Sequence, residues 1–268
     1  MSISLDTFFF TSTIKIPEFN CKKVLGNADN VDQSKVVCLL EEHGAEPYHI
    51  FEEAVLSQSY ETGSDLILVE CNRELKPTEI IEQFSKKFPG QAKFLEGKTF
   101  RGWDHPMQKL WEDQFKKENQ SIISAVENLQ DVENHNLEVI LSSMTQLSAV
   151  HNLFNKEGDE LRPKDFIPYL VRKDFESEEF TSLRNLLVQA GKRYTHIKLQ
   201  KLILETFPMR QQSLMDSVAA ALKERKYRRI FVIAGLIHFN SNVATIEQEV
   251  RKLLDYLDKT PFIALTLN

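Results

Sequence analysis

The sequence predicts an α/β fold in which a mainly parallel central sheet is flanked by helices and carries a helical insertion or cap. The first observation is a set of short, almost wholly apolar runs at 35–40, 66–71 and 229–234. Such runs are typical of strands buried on both faces of a parallel sheet. The second observation is that segments with apolar residues at helical spacing separate these runs. Strands that alternate with helices favour a parallel sheet.

The individual elements follow from local patterns along the chain. Strands are predicted at 35–40, 66–71, 137–142, 229–234 and 261–267, with weaker ones at 92–96 and in the N-terminal segment TFFFTSTIKI. Pro47 and Pro77 suit the first position of a helix, where the fixed φ of proline is helical and its missing N–H is not needed. Helices are predicted from Pro47, from Pro77 to Pro89, and at 106–130, 145–156, 163–207, 209–226 and 242–258. His49 lies in the first helix and is expected at its surface.

We expect one domain over residues 1–268, because no linker-like stretch surrounds the strand-free part at about 145–207. That part is therefore predicted to be an insertion or cap. The chain has 268 residues, 42% of them hydrophobic, which is enough to bury a sizeable core.

Charge, cysteine usage and hydropathy narrow the class of protein. The formal net charge of −6 argues against sequence-independent binding to nucleic acid, which needs clustered excess Lys and Arg. No run approaches about 18 apolar residues, so no membrane span is expected. The 3 cysteines lack CxxC spacing, and the N-terminus lacks a basic segment followed by a long apolar one. These features favour a cytoplasmic protein, or one exported without a readable signal.

Polar residues stand where the predicted strands end. Glu41 and His43 follow the first apolar run, Glu70 closes the second, and His238 follows the late one. In open α/β sheets, ligands bind outside the carboxyl ends of the strands. We therefore expect these histidines and carboxylates to meet in one pocket, although they are far apart in the sequence.

The same residues carry a family resemblance. Three short segments resemble the motifs of the erythromycin-esterase/ChaN-like superfamily, which also includes the TraB and TIKI proteins; they are Leu40-Glu41-Glu42-His43, Val69-Glu70 and Gly235-Leu236-Ile237-His238. The resemblance covers roughly residues 35–268. Where the superfamily has glycine before the glutamate, this chain has Leu40. Glycine lets the backbone approach a ligand, so the substitution puts the geometry of the first motif in question.

Two further positions fit the resemblance. Arg210 is placed like an arginine that TraB-like members carry in the helix before the third motif. The segment 100–104, with Arg101 and Asp104, is placed like a polar loop that some members have after the third strand.

The resemblance implies a hydrolase, either an esterase or a metal-dependent peptidase, acting on a small molecule or a peptide. In the metal-dependent version, His43, Glu70 and His238 are the ligands of a divalent metal. Two neutral imidazoles and a carboxylate can hold such an ion with one position open for water.

The metal-free version assigns different roles. His43 is the general base that takes a proton from water, and Glu41 or Glu70 orients it. Arg210 or Arg101 stabilises the developing oxyanion. The residues leave open which version holds.

The alternative is a non-catalytic ligand-binding or effector module on the same fold, and Leu40 in place of the motif glycine favours it. The ChaN branch implies a haem or iron ligand for such a module. The helical insertion is then the expected surface for a protein partner, provided that it exposes apolar residues.

Overall fold

The computed structural model describes residues 13–16, 19–42, 46–87, 89–155, 160–239 and 244–267. The chain divides into two compact units. The sheet unit comprises residues 1–109 and 206–268, and the helical unit comprises residues 110–205. The predicted single domain with an insertion at about 145–207 stays a prediction.

The sheet unit is built on one seven-stranded mixed sheet with the strand order β1-β2-β7-β3-β6-β4-β5. The strands are β1 Thr13–Ile16, β2 Phe19–Leu25, β3 Val36–Glu41, β4 Leu66–Asn72, β5 Phe100–Asp104, β6 Ile230–Gly235 and β7 Phe262–Leu267. β7, β3, β6, β4 and β5 are mutually parallel, whereas β2 pairs antiparallel with β7 and with β1. The predicted α/β fold with a mainly parallel sheet is therefore confirmed.

The described helices are α1 Glu46–Ser59, α2 Pro77–Lys87, α3 Pro89–Leu95, α4 Gln108–Gln130, α5 Leu137–Phe154, α6 Pro163–Arg172, α7 Glu178–Glu224 and α8 Ala244–Leu257. None of these helices has a stretch that is long and apolar enough to cross a membrane. α7 is the longest, and it contributes residues 178–205 to the helical unit and 206–224 to the sheet unit.

Both faces of the sheet are covered, and the alternation of side chains along each strand decides which helix a residue meets. On β3, Val36, Cys38 and Leu40 pack with residues of α7 and α8, including Leu214. The intervening Val37 and Leu39 pack with residues of α1, α2 and α3, including Phe51. We call these the α7 face and the α1 face of the sheet.

The helical unit has a core of its own. Buried side chains of α4, α5, α6 and α7 form it, among them Leu129, Met144, Phe166 and Phe180. Gly191, which lies inside α7, allows a close approach to α4 and α5. A Cβ at this position would lie 2.5 Å from Val126 Cγ2 and 2.8 Å from Leu147 Cδ2, so the glycine is needed for packing and does not end the helix.

Several element predictions were wrong. Residues 137–142 were expected to form a strand but begin α5, and the weaker strand at 92–96 falls largely in α3. Segment 100–104 was placed as a loop but is β5, and β2 was missed. The run LEVILS is short and apolar, and such a run fits a strand or a buried helix equally well.

The start of α5 explains the first of these errors. Asn136 is extended, and its side-chain oxygen accepts a hydrogen bond from the N–H of Val139 at 3.0 Å. Ile140, Met144 and Leu147, at helical spacing, are then fully buried. The N-cap therefore favours a helix in a segment whose apolar pattern fits a strand or a helix equally well.

Replacement of this N-cap should weaken the helical unit. Asn136→Ala leaves the N–H of Val139 without its acceptor and should lower the free energy of unfolding by about 1 kcal/mol. Asn136→Asp keeps an oxygen acceptor and should retain most of the stability. Urea unfolding followed by circular dichroism measures both. Equal stability of Asn136→Ala and the parent chain would contradict this account of α5.

Candidate functional site

Four polar side chains converge at the carboxyl edge of the sheet on its α7 face. Glu70 is near the end of β4, Asp104 ends β5, His238 lies in the 3-10 turn Leu236–His238 after β6, and Arg210 comes from α7. Glu70 follows Leu66 and Leu68 at a spacing of two, and both leucines belong to the core of the α7 face. Alternation therefore turns Glu70 toward α7. We call these four residues the Arg210 cluster.

A close approach of two strands brings the carboxylates together. The pairing of β4 with β5 is irregular between Val69 and Asn72, and Gly102 lies against this irregularity. A Cβ on Gly102 would stand 2.4 Å from the carbonyl oxygen of Asn72, so only glycine fits without movement of the backbone.

Arg210 holds both carboxylates with one guanidinium. Its Nε lies 3.0 Å from Asp104 Oδ1, and its Nη2 lies 2.8 Å from Asp104 Oδ2. The same Nη2 donates to Glu70 Oε1 at 2.5 Å. The fork of donors meets the planar carboxylate of Asp104 at two points, which fixes orientation as well as distance.

The second oxygen of Glu70 is also held. Glu70 Oε2 accepts a hydrogen bond from the backbone N–H of Gly235 at 2.9 Å. His238 Nε2 lies 3.9 Å from Glu70 Oε1. The carboxylate of Glu70 thus has one orientation, set by α7 on one side and by the end of β6 on the other.

The imidazole of His238 is fully buried. Its ring stacks on Phe207 at 5.1 Å and meets Trp103 edge-on at 5.0 Å between centroids. Gln211 Nε2 donates to the carbonyl oxygen of His238 at 2.9 Å, and Gln211 Oε1 lies 2.7 Å from His238 Nδ1.

These contacts select one tautomer. A backbone carbonyl only accepts, so the Gln211 amide must present its nitrogen to the carbonyl and its oxygen to the ring. The ring nitrogen facing that oxygen must then donate. In the neutral ring, Nδ1 therefore carries the proton and Nε2 presents its lone pair toward Glu70.

The charges of the cluster do not balance. One guanidinium faces two carboxylates, all largely shielded from water. Burial raises the pKa of Asp104 above its ordinary value; the hydrogen bonds and charge of Arg210 lower it, and Glu70 raises it further. Burial lowers the pKa of Arg210, but Glu70 and Asp104 together raise it above the ordinary arginine value.

Glu41 takes a different position from the other predicted site residues. It follows Val37 and Leu39 at a spacing of two, so its side chain belongs to the α1 face. There it lies near His49 and Glu52 of α1; His49 Nδ1 is 3.8 Å from Glu41 Oε2 and 3.8 Å from Glu52 Oε2. Alternation thus sends Glu41 and Glu70 to opposite faces of the sheet.

The structure describes the surroundings of Arg101 and Leu40 as well. Arg101 pairs with Glu224, with Nη1 to Oε1 at 2.5 Å, and its Nη2 donates to the hydroxyl of Tyr227 at 2.8 Å. The hydrogen bond from Arg101 lowers the pKa of Glu224 to about 2. Leu40 is fully buried in the core of the α7 face. His43 lies outside the described residues.

Sequence reasoning missed the residues that support the cluster. The only sequence signal for Gln211 is its position directly after Arg210. In the sequence, Phe207 and Trp103 resemble ordinary core residues. Glu52 offered a better signal, because Val55 and Leu56 follow it at spacings of three and four and so share its side of α1. His49, expected at the surface, retains only 23% of its side-chain exposure.

Comparison with family models, with curated proteins and with solved structures gave no match. The resemblance to the erythromycin-esterase/ChaN-like superfamily therefore stays a prediction.

Removal of the guanidinium should destabilise the sheet unit in a pH-dependent way. Arg210→Met leaves two buried carboxylates without their cation, which should cost about 3–5 kcal/mol near neutral pH. A buried acid with a raised pKa contributes stability that is present below its unfolded pKa and is lost as pH rises through its folded pKa. The loss should therefore be smaller at about pH 5 than at about pH 8.

Urea unfolding of both chains at the two pH values measures this difference. Arg73→Met is the matched control, because Arg73 is more exposed and lies 3.5 Å from Asp216. It should cost no more than about 1 kcal/mol, with little change between the two pH values. An equal loss at both pH values for Arg210→Met would contradict the charge balance described for the cluster.

Proposed function

We propose that the chain is a hydrolase of an ester or amide in which a histidine activates water without a metal at Glu70. The observation that carries the proposal is the fixed carboxylate of Glu70, held by Arg210 and Gly235 and faced by His238. Its position at the carboxyl edge of a mainly parallel sheet supports a role in ligand binding. Its residual side-chain exposure of 10% leaves part of the carboxylate accessible.

The contacts of Glu70 favour the metal-free version over the metal-dependent one. Glu70 Oε1 takes a short hydrogen bond from a guanidinium, and Oε2 takes one from a backbone N–H. A divalent ion at this carboxylate would stand beside the positive charge of Arg210, which disfavours its binding there. We therefore assign the activation of water to a histidine and derive no step through a metal.

In the proposed reaction, His43 takes the proton from the attacking water, and Glu70 orients the imidazole and stabilises its cation. The assignment of His43 rests on the sequence, in which it follows Glu41 by two residues. His238 is a positioning residue, because its full burial keeps it from bulk water. Its Nε2 lies 3.9 Å from Glu70 Oε1.

Arg210 is proposed to stabilise the oxyanion. Its Nε and Nη2 are engaged with Asp104 and Glu70, whereas Nη1 makes no hydrogen bond to a described residue. A preorganised cationic donor in a site with little water is worth more to a developing negative charge than one in solution. Arg101 is the weaker candidate, since it is engaged with Glu224 and Tyr227.

Hydrolysis of p-nitrophenyl acetate, p-nitrophenyl butyrate and a small panel of amides, in the presence of EDTA, tests the proposal. His43→Ala and Glu70→Gln should each lower kcat/KM by about 100-fold or more. Added imidazole should restore part of the activity of His43→Ala and none of that of Glu70→Gln. His196→Gln, at an exposed position, is the control and should match the parent chain.

Unchanged activity in His43→Ala would overturn the proposal, as would activity that EDTA abolishes. Circular dichroism of each variant separates loss of fold from loss of chemistry. The rescue by imidazole requires a folded chain and is therefore a second, independent check.

One observation favours a second function, a non-catalytic ligand-binding or effector module. The side chain of Leu40 stands in the core where the resembled motif has glycine, so the first motif is closed on its α7 face. A chain that shows no hydrolysis on the panel, but a Soret band on addition of haem, would support this second function against the first.

A further inference from the structure

We propose that Glu41, His49 and Glu52 form a site for a divalent transition-metal ion on the α1 face of the sheet. This site goes beyond the proposed hydrolase and shares no residue with the Arg210 cluster. One potential ligand atom from each of the three residues lies within 4.8 Å of the other two. Among the described residues, no other group of three or more potential ligands of this kind comes together.

The fold places the three side chains without any special backbone geometry. Glu41 is the last residue of β3 and points to the α1 face. His49 and Glu52 are three residues apart on α1, so they lie one above the other on the same side of the helix. A regular strand end and one helical turn are thus sufficient to form the site.

The spacing of the ligand atoms suits a shared ion better than direct hydrogen bonds. His49 Nδ1 is 3.8 Å from Glu41 Oε2 and 3.8 Å from Glu52 Oε2. A hydrogen bond between such groups is normally about 2.7–3.2 Å long. Ligands at about 2.1 Å from one ion stand roughly 3–4 Å from each other.

The charge of the group suits a cation. Glu52 is 1% exposed and Glu41 is 6% exposed, so two carboxylates are withdrawn from water close to one another. A divalent ion between the two carboxylates is attracted by both of them, and the imidazole of His49 can supply a third ligand atom.

The ligand set selects the type of ion. One imidazole nitrogen and two carboxylate oxygens suit Zn²⁺, Mn²⁺ or Fe²⁺, whereas Mg²⁺ and Ca²⁺ prefer oxygen alone and thiolates favour softer ions. The partial exposure of His49, at 23% of its side chain, provides an approach from solvent. Three protein ligands leave a coordination position for water.

Isothermal titration calorimetry of the full chain, stripped with EDTA and dialysed, with Zn²⁺ and separately with Mn²⁺ tests the site. One equivalent should bind and raise the Tm. Glu52→Gln and His49→Gln should each weaken binding by at least about tenfold. Glu53→Gln changes the exposed neighbour on the same helix and should bind like the parent chain.

X-ray absorption spectroscopy of the Zn²⁺-loaded parent chain should show one nitrogen and otherwise oxygen ligands, and this readout does not require that a variant folds. Absence of binding, sulfur in the first coordination sphere, or equal affinity in Glu52→Gln and the parent would overturn the proposal. Hydrolase activity is not a readout here, so failure of this site and failure of the proposed function are distinguishable.

Discussion

The ion pairs of Arg210 with Glu70 and Asp104 are the interaction on which the carboxyl edge of the sheet depends. They join α7 to β4 and β5 through one guanidinium. Two carboxylates next to each other in the protein interior would be costly without a cation. Because the guanidinium is planar and has donors in a fixed fork, it also fixes the direction in which each carboxylate points.

The period of two along a strand separates the polar residues of this edge into two groups. Glu70 shares its face with α7 and becomes part of the Arg210 cluster, whereas Glu41 shares its face with α1. The two groups therefore have different electrostatic character. The Arg210 cluster contains its own cation, and the group around Glu41 contains two carboxylates and one imidazole.

Much of this arrangement is predictable from the sequence. The apolar runs identify β3, β4, β6 and β7, and the polar residues at the strand ends identify Glu70 and His238. The family resemblance adds Arg210, which no periodicity would single out. Sequence reasoning fails where one local contact decides between helix and strand, as the N-cap Asn136 does. It also fails where burial of a charged residue depends on tertiary packing, as at Glu52.

Glu41 and Glu70 were expected in one pocket because each lies at the end of an apolar run. Two residues at the same edge of a sheet can nevertheless point to opposite faces of it. The face follows from the alternation of side chains along each strand, because residues two apart point to the same face. Counting by twos from the apolar residues of each strand assigns Glu41 and Glu70 to different faces, and this count needs only the sequence. The orientation of Gln211 was not, since it depends on a carbonyl that only the folded chain presents.

The Arg210 cluster holds each of its polar side chains in one orientation, with His238 presenting the lone pair of Nε2 to Glu70. Nitrogen-15 correlation spectroscopy of the His238 imidazole, at a pH where the ring is neutral, tests this most directly. We expect a proton on Nδ1 and none on Nε2. A neutral ring protonated on Nε2 would contradict it.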